Sequence, residues 1–225
     1  MYSADYFSHD AEYQRRRALG NPGWETAGAL AEYLALLEQV FDAPCFPKEG
    51  KLLELGCGAG DLSLWAAERG YEACGVDISP TAIHWAVEKA GQRGVSADFQ
   101  TGDVLDLSRY ASDWFDIVLD GRCFHCIVGE DRMQFLREAF RVLRPGGVFH
   151  VETMCGDPGC EEYRRQFDEE SRSLIRNGRA YRHLGLADGI EREIATAGFT
   201  VISRWIIPRR NDRELDLLVM DATKG

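Results

Sequence analysis

Short apolar runs alternate along the chain with stretches in which apolar positions recur every three or four residues, the patterns of buried strands and of helices lying on a sheet. The runs predict strands at 52–55, 71–76, 99–104, 115–120, 148–153, 200–206 and 215–220. A helical pattern covers 27–40 and stops before Pro44 and Pro47, and others follow Asp61 and Pro80, where Ile83 and Val87 are read as facing the sheet. Phe135, Leu136, Ala139, Phe140 and Leu143 share one helical face and are read as core, and a last helix at 186–197 ends at Gly198. This alternation predicts an α/β chain with a doubly wound sheet. Residues 154–186 break the rhythm, being charged and rich in Arg, Glu and Tyr, as expected of a cover inserted over a substrate. Their arginines are read as a solvated face rather than an anion site.

The segment Leu52-Leu53-Glu54-Leu55-Gly56-Cys57-Gly58-Ala59-Gly60 carries the clearest chemistry. An apolar strand runs into three glycines two apart, which let the backbone turn sharply and let a ligand touch the main chain. The next strand ends in Asp77, placed to accept hydrogen bonds from ribose hydroxyls. A dinucleotide site would set a small residue where Asp61 stands, because pyrophosphate seeks the positive end of the following helix. Two acids, Glu54 and Asp61, favour a cationic ligand instead.

This E-x-G-x-G-x-G turn resembles the first motif of the class I S-adenosylmethionine-dependent methyltransferases, and the resemblance runs in register over about residues 50–153. It implies a mostly parallel seven-stranded sheet with helices on both faces. It also implies a cofactor site of Glu54, Gly56, Cys57, Gly58 and Gly60, with Asp77 on the ribose, Ile78 flanking the adenine, Asp103 on its amino group, Val104 supplying a backbone contact, and Asp120 near the methionine moiety or capping the loop after it. The stretch Leu119 to His125, with Arg132 and Pro145-Gly146-Gly147, is similar to the thiopurine and thiol methyltransferase branch, as is Asn21-Pro22-Gly23-Trp24. On that similarity Arg122 and Cys123 are candidate substrate contacts and Trp24 a cofactor contact.

Composition narrows the partners. With 26 basic and 37 acidic residues the net charge is −11, which disfavours a nucleic-acid backbone and suits a small or cationic ligand. No apolar run nears the roughly 20 residues of a membrane span, and the polar, charged opening resembles no signal sequence, so a cytoplasmic protein is expected, monomeric or homodimeric. A chain of 225 residues suits one domain: an N-terminal helical lid over 1–49, a cofactor core over 50–153, the cover over 154–186 and a C-terminal helix with strands over 187–225. The seven cysteines, odd in number, are expected to be reduced. Cys123, His125, Cys126, Cys155 and Cys160 gather at strand ends, where they either ligate a soft metal or simply pack, and their spacing matches no standard zinc site. No metal is expected. His125 is the candidate base, or else a hydrogen-bonded structural histidine. Tyr2, Tyr6, Phe7, His9, Tyr13 and Trp24 are candidates for an aromatic lid that excludes water and attracts a sulfonium.

The expected activity is transfer of the methyl group of S-adenosylmethionine to a small-molecule nucleophile, with a thiol or related soft acceptor preferred. The alternatives are an O- or N-methyltransferase, a nicotinamide-dependent oxidoreductase, for which the position of Asp61 and the charge of Glu54 are wrong, and a non-catalytic S-adenosylmethionine-binding protein.

Overall fold

The computed structural model describes residues 3–4 and 6–225; Tyr2 of the expected lid lies outside them. A two-residue strand Ser3–Ala4 (β1) and two helices, Ser8–Ala18 (α1) and Ala27–Asp42 (α2), precede the sheet. Lys51–Leu55 (β2), Glu72–Asp77 (β3), Asp98–Thr101 (β4), Phe115–Asp120 (β5) and Leu143–Cys155 (β6) follow, connected in part by helices Asp61–Ala67 (α3), Pro80–Arg93 (α4) and Asp131–Val142 (α5). The chain continues as Glu161–Gln166 (α6), Phe167–Asp168 (β7), Ser173–Arg176 (β8), Arg179–His183 (β9), Ala187–Thr196 (α7), Phe199–Ile207 (β10) and Asp216–Lys224 (β11).

Seven strands pair in the order β10-β11-β6-β5-β2-β3-β4, parallel except where β11 runs antiparallel to both β6 and β10. Both faces are buried, and the two-residue period of each strand decides which side chain goes where. Leu53, Val118 and Phe149 point to the side covered by α5 and α7, whereas Leu52, Ile117 and Val148 point to α2 and Trp65. The strand order reverses between β2 and β5, and a crevice opens at such a reversal beyond the strands' carboxyl ends.

Four features depart from the sequence expectation. Helix α1 falls within the helical lid expected over 1–49 but had no bounds of its own there, because its burial is supplied by one residue, Tyr13, on an otherwise polar segment. Val87 turns outward at 52% exposure while Ile83 packs inward, since their four-residue spacing rotates Val87 past the edge of the covered face. Strand β6 begins at Leu143 and runs through Pro145-Gly146-Gly147, paired to β5 at Phe115. The 154–186 segment builds a small sheet of its own, β1-β9-β8-β7, in which the parallel partner of β9 comes from the chain's opening residues.

Candidate functional site

The turn after β2 is shaped by what stands around each glycine. Gly56, Gly58 and Gly60 have φ of 69°, 51° and 77°, the left-handed region that side chains resist. A Cβ on Gly56 would lie 2.5 Å from that of Cys123, and one on Gly58 would collide with the hydroxyl of Tyr13. At Gly60 it would meet Phe99 at 2.7 Å and Ala86 at 2.8 Å, so this glycine serves the close packing of α3 against α4 and β4. Gly60 does not line the cavity.

Asp77 closes the turn from the side: its Oδ2 accepts from the Gly58 amide and its Oδ1 from the Ser79 amide, each at 2.8 Å. Burial raises its pKa despite those donors. Glu54 is 1% exposed and accepts from the amide and hydroxyl of Ser63. Burial lifts its carboxyl to about 8, so without a cation nearby it is mostly protonated at neutral pH. Asp61 is not the open anion expected from the sequence. Lys89 Nζ lies 2.5 Å from its Oδ1, with Arg93 at 3.5 Å, and this pairing removes much of the repulsion that a phosphate would meet.

A cavity of about 620 Å³ opens over this turn. Its walls include Glu54, Gly56, Cys57, Gly58, Asp77, Ile78, Asp103 and Val104, drawn from the ends of β2 and β3 and the loop after β4, and Trp24, Arg122, Cys123 and His125 from the lid and the loop after β5. Asp120 is absent from the wall. It is fully buried, and its Oδ1 accepts from the amides of Cys123 and Phe124 at 2.8 and 2.9 Å, so of its two expected roles it takes the loop cap. Burial lifts its pKa to about 7. Arg132, 4% exposed, grips the same loop by donating to the carbonyls of Phe124 and Ile127 while pairing with Glu193 at 2.6 Å.

Residues 53–151 match the Methyltransferase domain family. A 2-heptyl-1-hydroxyquinolin-4(1H)-one methyltransferase of Mycobacteroides abscessus is 33% identical over 153 residues, covering 67% of this chain and 62% of that relative. A ribosomal RNA small subunit methyltransferase C of Alcanivorax borkumensis is 32% identical over 145 residues, 61% of this chain and 42% of that one. The chain thus spans about half the length of these curated relatives. A structure solved for the conversion of a disulfide bond into a thioacetal group during echinomycin biosynthesis is 27% identical, covers 98% of this chain and 92% of its own, and superposes with a TM-score of 0.67. Solved S-adenosylmethionine-dependent methyltransferases share the fold. Residues 53–151 thus form a methyltransferase domain, on the fold of the solved S-adenosylmethionine-dependent methyltransferases.

The N-terminal aromatic residues expected to form a lid do not all reach the cavity. Phe7 is 80% exposed and off the cavity wall, whereas Tyr6, His9, Tyr13 and Trp24 line it. Tyr13 stands edge-on to Trp24 at 5.1 Å, and His9 lies 5.7 Å from the same ring. The cation on Trp24 is the chain's own: the Arg16 guanidinium sits 4.5 Å from the ring centroid and donates to the Trp24 carbonyl. Arg122 is locked as well, 3.5 Å over the Tyr33 ring and 3.0 Å from buried Glu152. Tyr33 and Arg182 reach the cavity without having been foreseen, so one arginine of the 154–186 segment faces the site, contrary to its reading as solvated surface. No local spacing announces either one, because each arrives from an element paired or packed at long range. All seven cysteines are free, and among the described residues no group of three His, Cys, Asp or Glu side chains is arranged to hold a metal. No helix among the described residues is long and apolar enough to cross a membrane.

Proposed function

We propose that this protein transfers the methyl group of S-adenosylmethionine to a small-molecule nucleophile by in-line displacement, with a thiol or related soft acceptor preferred. The observation that carries the reading is the glycine turn and Asp77 opening onto one cavity of about 620 Å³, within the range of sites that hold cofactor-sized ligands. The residues present suit the cofactor: Asp77 to accept from the ribose hydroxyls, Ile78 and Val104 to flank the adenine, Asp103 to accept from its amino group, and buried Glu54 with Gly56 and Gly58 at the amino-acid end. When bound, the cofactor supplies a methyl group on a positively charged sulfur. Tyr6, His9, Tyr13 and Trp24 exclude water, and holding two reactants in line supplies on the order of 7 kcal/mol or more. His125, buried on the wall with no partner at Nδ1, is the group placed to take a proton from a thiol. A net charge of −11 and a walled cavity favour a small molecule over RNA. The thiol preference is supported by the near full-length likeness to the protein of the disulfide-to-thioacetal conversion.

Calorimetric titration with S-adenosylmethionine, S-adenosylhomocysteine and NADH tests the cofactor, with binding of the first two and its loss in Asp77→Ala expected. Binding of NADH alone would overturn the reading. Methyl-transfer assays over thiols, phenols and amines test the acceptor, and turnover of phenols or amines without thiols would remove the sulfur preference.

A further inference from the structure

The cavity extends beyond the residues suited to the cofactor. Because β11 runs antiparallel to both neighbours, its first residues and the last of β10 stand at the carboxyl edge of the sheet, beside the end of β6. There Ile207, Leu217 and Met154 are paired into one row across three strands, and all three line the cavity with Tyr163 of α6. The connection from β10 to β11 lies against the 154–186 segment: the Arg209 guanidinium donates to the Asp157 carbonyl at 3.0 Å, and a Cβ on Gly159 would meet the Asp212 carbonyl at 2.7 Å. In the sheet order this apolar row lies on the other side of β5 from β2, β3 and β4. The loop after β5, which carries His125, therefore stands between the row and the glycine turn.

Charge on the wall is sorted in the same way. Outside the turn and strand ends assigned to the cofactor, the wall's carboxylates are Glu25, Glu32 and Glu214, and each has a cation. Arg210 takes both Glu32 and Glu214 at 3.1 Å, and Arg122, paired with Glu152 at 3.0 Å, stands 3.9 Å from Glu25. Two further arginines line the cavity: Arg182, half-buried on β9, and Arg213, exposed on the connection from β10 to β11. Among the described residues neither guanidinium has an ion pair or hydrogen bond. A guanidinium without a counter-charge on a partly closed wall favours an anion, and its planar fork matches a carboxylate. We propose that the methyl acceptor is an apolar small molecule bearing one negatively charged group, a carboxylate or its equivalent, which Arg182 and Arg213 hold while its body lies on the Ile207, Leu217 and Met154 row. This names the acceptor class for the methyl-transfer reading above and rests on it. The carboxyl groups of Glu54, Asp77 and Asp103 at the other end of the cavity repel the same anion, so the acceptor enters with its nucleophile toward the cofactor. The net charge of −11 does not oppose this at contact range, because exposed charges more than about 8 Å apart are largely screened at physiological ionic strength.

The test is calorimetric binding of methylated product analogues to the wild-type chain saturated with S-adenosylhomocysteine. The probes are para-methylthiobenzoate, its meta isomer and methylthiopropanoate, each measured against its neutral amide. At least one carboxylate is expected to bind about tenfold more tightly than its amide, the order of one charge-assisted hydrogen bond. Raising salt from about 0.05 to about 0.5 M is expected to erode that preference. Arg182→Gln and Arg213→Gln are each expected to cut it to about threefold and together to abolish it, whereas Arg182→Lys, which keeps the charge, retains most of it. None of these changes is expected to move S-adenosylhomocysteine affinity by more than about twofold, since the arginines lie at the other end of the cavity. Arg176→Gln, exposed on β8 and off the wall, removes the same charge and is expected to leave the preference intact. Arg213 is exposed, so its variant decides the matter even if Arg182→Gln fails to fold. The proposal is overturned if no carboxylate outbinds its amide, or if the preference survives in the double variant. A chain that binds no S-adenosylhomocysteine yet keeps the carboxylate preference would leave the anion site standing and remove the methyl-transfer reading. Tight S-adenosylhomocysteine binding with no such preference would do the reverse.

Discussion

Asp77 and Asp120 show how two acids at strand ends diverge. Each terminates a parallel strand of the same sheet, is nearly or fully buried, and accepts from two backbone amides. Asp77 meets the cavity and Asp120 does not, because β5 is followed by a loop that folds back over its carboxylate. Asp77→Ala is therefore expected to weaken S-adenosylhomocysteine binding by about 10- to 100-fold, the loss of one or two charge-assisted hydrogen bonds. Asp120→Ala is expected to leave that affinity within about threefold while lowering unfolding free energy by about 1–3 kcal/mol, since two buried amides lose their acceptor. Calorimetry and urea unfolding of the two variants separate these roles. The identity of both acids was legible from their place after an apolar run. Which one faces the ligand was not, because that depends on the path of the loop.

At the scale of elements, α1 is the piece that completes the site. Its acidic first turn and basic last turn complement the helix dipole, and His9 and Tyr13, four apart on α1, line the cavity together with Tyr6 just before the helix. That spacing was available in the sequence, and the segment was expected within a helical lid, but without an apolar stripe nothing there set the bounds of the helix or where it would dock. The docking rests on Asp10, whose Oδ1 accepts from the Ser79 hydroxyl at 2.7 Å and the Thr81 amide at 3.0 Å at the start of α4. Ser79 in turn caps α4 through the Ala82 amide, ahead of Pro80 in the first turn. Asp10→Ala is expected to loosen α1 by about 1 kcal/mol, seen as faster hydrogen exchange over 8–18 with little change in β2 or β5. Equal acceleration throughout the sheet would mean that α1 is part of the cooperative core.

For the whole molecule, Glu54, Asp120, His150 and His9 act in one direction above neutrality, opposed by Cys126, whose thiol is held below its usual range, and by Lys89, lowered by burial. Glu54 and Asp120 have folded pKa values raised to about 8 and about 7, so the folded state holds more protons than the unfolded chain and loses stability as pH rises toward those values. Burial disfavours protonation of His150, but Asp221 at 2.7 Å and Glu152 at 3.3 Å raise it to about 9, and His9 is raised to the same value. Their stabilisation is complete below about 6.5 and is lost as pH climbs through 9. Burial lowers His183 to about 3, which costs stability in acid and has no effect above about 6.5. The melting temperature of the unliganded protein is therefore expected to fall between pH 6.5 and 9, less steeply in Glu54→Gln. A flat profile for the wild type would show that these groups do not carry their charges as their partners imply. A cation entering beside Glu54 favours its ionised form, so cofactor binding near pH 7 is expected to release a proton, measurable as a dependence of the calorimetric heat on buffer ionisation enthalpy.

The amino-acid sequence by itself determined the layered architecture, the glycine turn and the acids at the ends of the strands, since strand period, left-handed glycine conformations and chain reversal are local properties. It also carried the family through the order and spacing of those local signals. Only the tertiary structure decided which candidates share a cavity. Lys89 neutralises Asp61, Arg16 takes a face of Trp24, Asp120 turns to its own loop, and His9 joins the wall of the cavity that His125 lines from more than a hundred residues away. Each of these is a pairing of charges or rings across elements, and its partner is chosen by docking rather than by distance along the chain.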